Sequence, residues 1–218
     1  MLAAASFTAQ AATYTNGYTA CSTGPQGEVS GSIVVVNGLQ YLASVGTSGN
    51  DVIQGVDATS YYQRDIIWGM DGDDQINGVE GDDIICGGAG DNTLTGGNGN
   101  DTIVGGIGHD LIYGGFGSDA LSGEGGNDVI NGEGDDDFSS ITISSGVPAG
   151  LHGGDGDDIV NGGPGKDWVA GQNGNDQLYG DSGNDEIGGG PGVDFIDGGT
   201  GTDKCEAEKT RQCELPLF

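Results

Sequence analysis

Large apolar side chains come in very short groups along most of this chain, and one of each group falls at a fixed interval. Ile67, Ile76, Ile85, Leu94, Ile103, Ile112, Leu121 and Ile130 stand nine residues apart. Val160, Val169, Leu178, Ile187 and Ile196 resume the interval after one break, and Ile53 stands ahead of the row. Each is the middle of a three-residue stretch, which suits a very short strand with its central side chain turned inward. The six residues between strands are rich in glycine, which reaches positive φ without steric cost and suits a tight turn. Turn plus strand, repeated, winds a two-sided coil of 18 residues per circuit around a thin ladder of Ile, Leu and Val. Internal repetition of this kind decides the fold: all-β, a parallel solenoid.

Two insertions break the rhythm. Five extra residues fall within 56–64, and twelve within 138–152, where the spacing from Asp137 to Asp158 is 21. Loops carried on a rigid scaffold often hold specific function, although surface insertions are also cheaply tolerated. Ahead of the repeats, "GSIVVVNGLQYLASV" (31–45) reads as a hairpin about Asn37-Gly38. A solenoid end exposes strand edges, so this hairpin is expected to cap the first coil. The first eleven residues, with an A-x-A-like "AQA" at 9–11, read as the remnant of a secretory signal. The division expected is a signal remnant at 1–11, a cap at 12–45, a roll at 46–206 and a C-terminal clamp and tail at 207–218.

Composition adds charge to this picture. The 218 residues include 48 Gly, 34 acidic and 5 basic residues, for a formal net charge of −29, and only 34% of them are hydrophobic. Such a balance borders on that of disordered chains. It argues against nucleic acid and anionic membrane as partners, because like charges repel. No run of about 18 apolar residues occurs, so no membrane-spanning helix is expected. Cations are the natural counterpart.

The acids share the lattice of the apolar row. Asp65, Asp74, Asp83, Asp101, Asp110, Asp119, Asp128 and Asp137 fall on one nine-residue phase, broken only by Asn92. Asp158, Asp167, Asp176, Asp185, Asp194 and Asp203 form a second lattice, and Asp51 heads a separate first unit. With two strands per circuit, Asp65, Asp83, Asp101, Asp119 and Asp137 line one edge, and Asp74, Asn92, Asp110 and Asp128 the other. Carboxylates there meet the exposed carbonyls of glycine turns. Hard oxygen ligands with net negative charge and flexible geometry favour Ca²⁺ over Mg²⁺, which wants a tighter octahedron.

The repeats "GGNGNDTIV" (96–104), "GGIGHDLIY" (105–113) and "GGDGDDIVN" (153–161) read Gly-Gly-x-Gly-x-Asp-x-U-x, with U apolar. They resemble the hemolysin-type, or RTX (repeats-in-toxin), calcium-binding family over about 46–206. The resemblance implies a parallel β-roll, a right-handed β-solenoid of GGxGxDxUx repeats, that binds several Ca²⁺ ions between turns. It implies that the ligands are turn carbonyls and the sixth-position side chains, namely the fifteen aspartates named above, with Asn92 in the row. Three positions depart from the pattern: Asn92 for Asp, Asp135 for the fourth-position Gly, and Ser139 for the apolar residue. With so little apolar content and so much repulsion, a largely unfolded metal-free state is expected.

Four cysteines in an exported, calcium-rich setting suggest two disulfides. Cys205 takes the last inward place with Cys213 eight residues on, which leaves Cys21 to staple the cap to Cys86. A zinc site lacks CxxC spacing, and His109 and His152 lie far from the cysteines. HExxH and GxSxG are absent. The paired acids Asp73/Asp74 and Asp82/Asp83 imitate glycosidase carboxylates, but their recurrence in the turn phase points to metal.

The lead function is therefore a secreted, extracellular calcium-binding module with a structural, adhesive or matrix role. An enzyme acting on polysaccharide through an exposed face and the inserted loops is the alternative. Ice binding is disfavoured, because neither outward row is regular. Trp68, Ile84 and Val104 read as an exposed apolar stripe suited to a glycan or a cell-surface protein.

Overall fold

A computed structural model describes residues 13–14, 20–21, 25, 33–36, 39–55, 64–135, 137, 139–142, 148–206 and 209–211. Four strands precede the regular coil: β1 (Thr13–Tyr14), β2 (Ile33–Val36), β3 (Leu39–Val45) and β4 (Val52–Gln54). One strand per repeat follows in β5 (Asp65–Asp71), β6 (Gln75–Glu80), β7 (Ile84–Ala89), β8 (Thr93–Asn98), β9 (Thr102–Ile107), β10 (Leu111–Phe116), β11 (Ala120–Gly125) and β12 (Val129–Gly134). A short antiparallel pair, β13 (Ser139–Thr142) and β14 (Pro148–Ala149), interrupts the series. The series resumes with β15 (Leu151–Asp155), β16 (Ile159–Pro164), β17 (Trp168–Asn173), β18 (Gln177–Gly183), β19 (Glu186–Gly188) and β20 (Phe195–Asp197). It ends in β21 (Thr200–Gly201), β22 (Lys204–Glu206) and β23 (Lys209–Arg211).

Strands alternate between two sheets, so each coil contributes one strand to each. The first runs β1-β2-β3-β5-β7-β9-β11-β15-β17-β19-β22, and the second β23-β20-β18-β16-β12-β10-β8-β6-β4, with β21 beside β18. Within the coil every pairing is parallel, in 18-residue register where the repeats are uninterrupted, as in Ile85↔Ile103 and Leu94↔Ile112, and in longer register across the insertions, as in Ile53↔Ile76 and Leu121↔Leu151. This is a parallel β-roll. Backbone bonds close the ladder between coils, for example Thr102 N–H to the Asp83 carbonyl at 2.8 Å.

Between the sheets runs the predicted aliphatic ladder, Ile67 through Ile196, with Ile53 and Cys205 partly buried at its ends. One member was not foreseen. The place expected for Ser139 is filled by Leu151, which registers on Leu121 and Val169. Gly150, Leu151 and His152 thus belong to the coil and not to the insertion, and the apolar side chain after the loop is what the core selects. Ser139 lies in β13 instead.

The Trp68 stripe is a correction. Ile66, Trp68, Ile84, Cys86 and Val104 are buried, and Trp68 is 2% exposed. The first four pack with Ala20, Tyr41 and Ala43 in a second apolar cluster outside the first sheet. The Trp68 indole N–H donates to the Ala20 carbonyl at 3.2 Å, and Cys21 is disulfide-bonded to Cys86. An apolar row on a solenoid's outer face is free energy left in water, and here the chain's own N-terminal segment removes it. β2 pairs antiparallel with β3, and β3 pairs with β5 at the head of the first sheet. Asn37, Gly38, Cys213 and most of 56–64 lie outside the described residues, as do residues 1–11.

Candidate metal centre

Every repeat ends its turn on a sixth-position side chain, and the turn's shape fixes where that side chain goes. At 96–101, Gly99 takes φ +136°, a region L side chains rarely adopt, and so reverses the chain. Gly96 has no such φ but is needed for space: a Cβ there would overlap Asp101 Oδ2 and lie 2.6 Å from the Gly114 carbonyl oxygen. The same collision recurs at Gly69, Gly78, Gly105, Gly114 and Gly123 with their own aspartates. First-position glycine is thus a cradle for a carboxylate.

One oxygen of each carboxylate is committed to the fold. Asp83 N–H donates to Asp101 Oδ1 at 2.7 Å, Asp101 N–H to Asp119 Oδ1 at 2.8 Å, and Asp119 N–H to Asp137 Oδ1 at 2.9 Å. The row then steps to Asp167, Asp185 and Asp203. At its head, Asp65 N–H donates to Asp83 Oδ1. The opposite edge runs Asp51, Asp74, Asn92, Asp110, Asp128, Asp158, Asp176 and Asp194 by the same bond. The two sequence lattices are therefore one stack. The insertion after Asp137 loops out and leaves both edges continuous, with bonds spanning 30 residues in place of 18.

The other oxygen is the chemical problem. Oδ2 of Asp74, Asp83, Asp101, Asp110, Asp119, Asp128, Asp137, Asp158, Asp176, Asp185 and Asp203 is buried with no hydrogen-bond partner among the described residues. Burying a charge without a partner is costly, and the group responds by holding its proton. Burial pushes Asp101 and Asp137 up to about 8, and Asp83, Asp158 and Asp185 up to about 7. Asp110 and Asp119 rise to about 6, and Asp74, Asp128 and Asp176 also rise. The backbone N–H bond opposes the rise in each, and for most of them neighbouring carboxylates add to it.

These residues fit a hard cation. Each orphaned oxygen except that of Asp203 shares its glycine cradle with a glycine carbonyl of the next coil, as Asp101 Oδ2 does with the Gly114 oxygen at Gly96. No three His, Cys, Asp or Glu side chains converge among the described residues. A cation would therefore draw on backbone carbonyls as well as carboxylates, which is oxygen chemistry suited to Ca²⁺ and not to zinc. Bound there, Ca²⁺ would supply the positive charge that the buried Oδ2 atoms lack.

A second ladder escaped sequence reasoning. Fifth-position side chains bond in the opposite sense, accepting from the following coil: Asp73 Oδ1 from Asp91 N–H at 3.0 Å, Asp91 Oδ1 from His109 N–H at 2.8 Å, and His109 Nδ1 from Asn127 N–H at 2.8 Å. Asn127, Asp157 and Asn175 continue it, and Asp82 and Asn100 do the same on the other edge. The signal was present as short acceptor side chains 18 residues apart. It also explains the paired acids: Asp73 serves the coil after it and Asp74 the coil before it.

The family model of the RTX calcium-binding nonapeptide repeat, four copies long, matches residues 45–57, 62–85, 78–112, 87–121, 113–139, 152–187 and 171–205. Together these cover more than half of the chain. No curated protein matches it.

Proposed function

The chain belongs to the RTX calcium-binding nonapeptide repeat family, and on that premise we propose that it is a secreted protein whose coil folds as several Ca²⁺ ions enter its two edges, and that it serves as a structural or adhesive element. The observation that carries this reading is the stack of buried Oδ2 atoms without donors. A metal-free coil must either protonate these carboxylates or leave their charges unpaired, and both weaken it at neutral pH. Metal-binding free energy then becomes folding free energy. A calcium-poor cytosol would keep such a chain open for export, and calcium outside would close it.

The sixth-position aspartates, with the turn carbonyls, are the proposed ligands. The adhesive part of the reading draws on the outer face of the second sheet. Tyr113, Asn131, Asn161 and Tyr179 stand there in one cross-strand row, and Tyr179 packs against Phe195 with ring centroids 5.9 Å apart. Aromatic faces beside amide groups suit an extracellular glycan or a cell-surface protein.

Equilibrium dialysis of the chelator-stripped chain tests the calcium reading. Several Ca²⁺ per chain and negligible Mg²⁺ are expected; binding of neither ion would refute it.

A further inference from the structure

Asn92 breaks the aspartate row, and its surroundings differ from those of every carboxylate in the stack. Its Oδ1 does what the aspartates do, accepting from Asp74 N–H at 3.0 Å. That bond fixes which way the amide points, since only the oxygen can accept. Nδ2 then stands where the aspartates carry Oδ2, nearest the Gly87 cradle. It donates to the Gly90 carbonyl of its own turn at 3.0 Å. Its neighbours on that edge, Asp74 and Asp110, both leave Oδ2 buried without a donor.

From this we infer that the Asn92 turn is a metal-free rung in an otherwise cation-loaded edge, the amide N–H taking the place of the ion. The inference rests on the calcium reading of the other turns. A carboxylate oxygen in place of Nδ2 would face the Gly90 carbonyl oxygen with no proton between them, and a cation is what reconciles two such oxygens. The amide brings its own proton, consumes the turn carbonyl and adds no charge. It also removes one negative charge from a crowded edge. Asn92 is thus more than a weakened ligand: it makes the turn self-sufficient.

The test counts ions. Native mass spectrometry of the full chain at saturating Ca²⁺ would compare wild type with Asn92→Asp and Asn92→Ala. Asn92→Asp is expected to bind one Ca²⁺ more than wild type and to show less β-structure under chelator. Asn92→Ala is expected to keep the wild-type number and lose thermal stability, because Asp74 N–H and the Gly90 carbonyl lose their partner. An unchanged count in Asn92→Asp, or one ion fewer in Asn92→Ala, overturns the inference. Should Asn92→Asp not fold, the Asn92→Ala count decides alone. A wild-type chain that binds no calcium would instead sink the calcium reading itself.

Discussion

Asp83 and Asp101, one coil apart, share a single hydrogen bond from the Asp83 backbone N–H to Asp101 Oδ1 at 2.7 Å, while the second oxygen of Asp101 is buried with no donor. One side chain thus holds two coils together and leaves a charge that the protein does not satisfy. The relationship repeats along both edges, so stacking and metal demand come from the same residues.

Asp101→Asn should separate them by experiment. The amide keeps an acceptor for Asp83 N–H and offers a proton where the cation's charge is needed, as at Asn92. We expect one Ca²⁺ fewer at saturation and more residual β-structure under chelator than wild type. Asp101→Ala should also lose the ion but strand a buried N–H, costing about 1–3 kcal/mol in calcium-saturated unfolding. Ion counting and thermal melts of both variants check this.

Acidity should substitute for metal in the stripped chain. Asp101 and Asp137 titrate at about 8 in the folded coil, and Asp83, Asp158 and Asp185 at about 7, against about 4 in an unfolded chain. Between those values the folded coil binds more protons than the unfolded chain, so metal-free stability falls as pH rises through the window. Circular dichroism without calcium should show more β-structure at pH 5 than at pH 8. With calcium the order should reverse, because the ion needs the ionised carboxylate. More structure at pH 8 in the metal-free chain would contradict the electrostatic account.

Two glycine substitutions should differ sharply. Alanine at Gly96 would press on Asp101 Oδ2 and the Gly114 carbonyl, removing that ion and lowering the calcium-bound melting temperature. A Cβ at Gly188 meets nothing within 4 Å. Gly188→Ala should be neutral or stabilise by about 0.4–1 kcal/mol through the unfolded chain.

Opening the Cys21–Cys86 bond should unseat the N-terminal segment from the first coils. Cys86→Ser is expected to cost about 2–4 kcal/mol and to make Trp68 quenchable by iodide, read in a Trp168→Phe background. An unchanged Trp68 would mean that apolar packing alone holds the segment.

The repeat, the parallel roll, the inward ladder and the register of both aspartate edges as far as Asp137 were legible because one residue type recurs at one spacing; that Asp158 through Asp203 continue the same edges was not, since the insertion breaks the count. Leu151 was not, since an insertion hides which residue resumes the phase, and only the demand for an apolar side chain between Leu121 and Val169 identifies it. Trp68 and Ile84 occupy outward positions, which periodicity marks as exposed. It cannot say that a distant segment, Ala20 and Cys21, comes back to cover them. The fifth-position ladder was missed because Asp, Asn and His look unrelated until a backbone N–H from the next coil is seen to use the acceptor each carries.

The most direct test of the central claim is far-UV circular dichroism of the chelator-stripped chain during a Ca²⁺ titration, with Mg²⁺ as control. A cooperative rise of β-structure with Ca²⁺ alone is expected. A chain already folded at neutral pH under chelator would contradict it, and the disulfide, the N-terminal cluster and the aliphatic ladder would then carry the fold without metal.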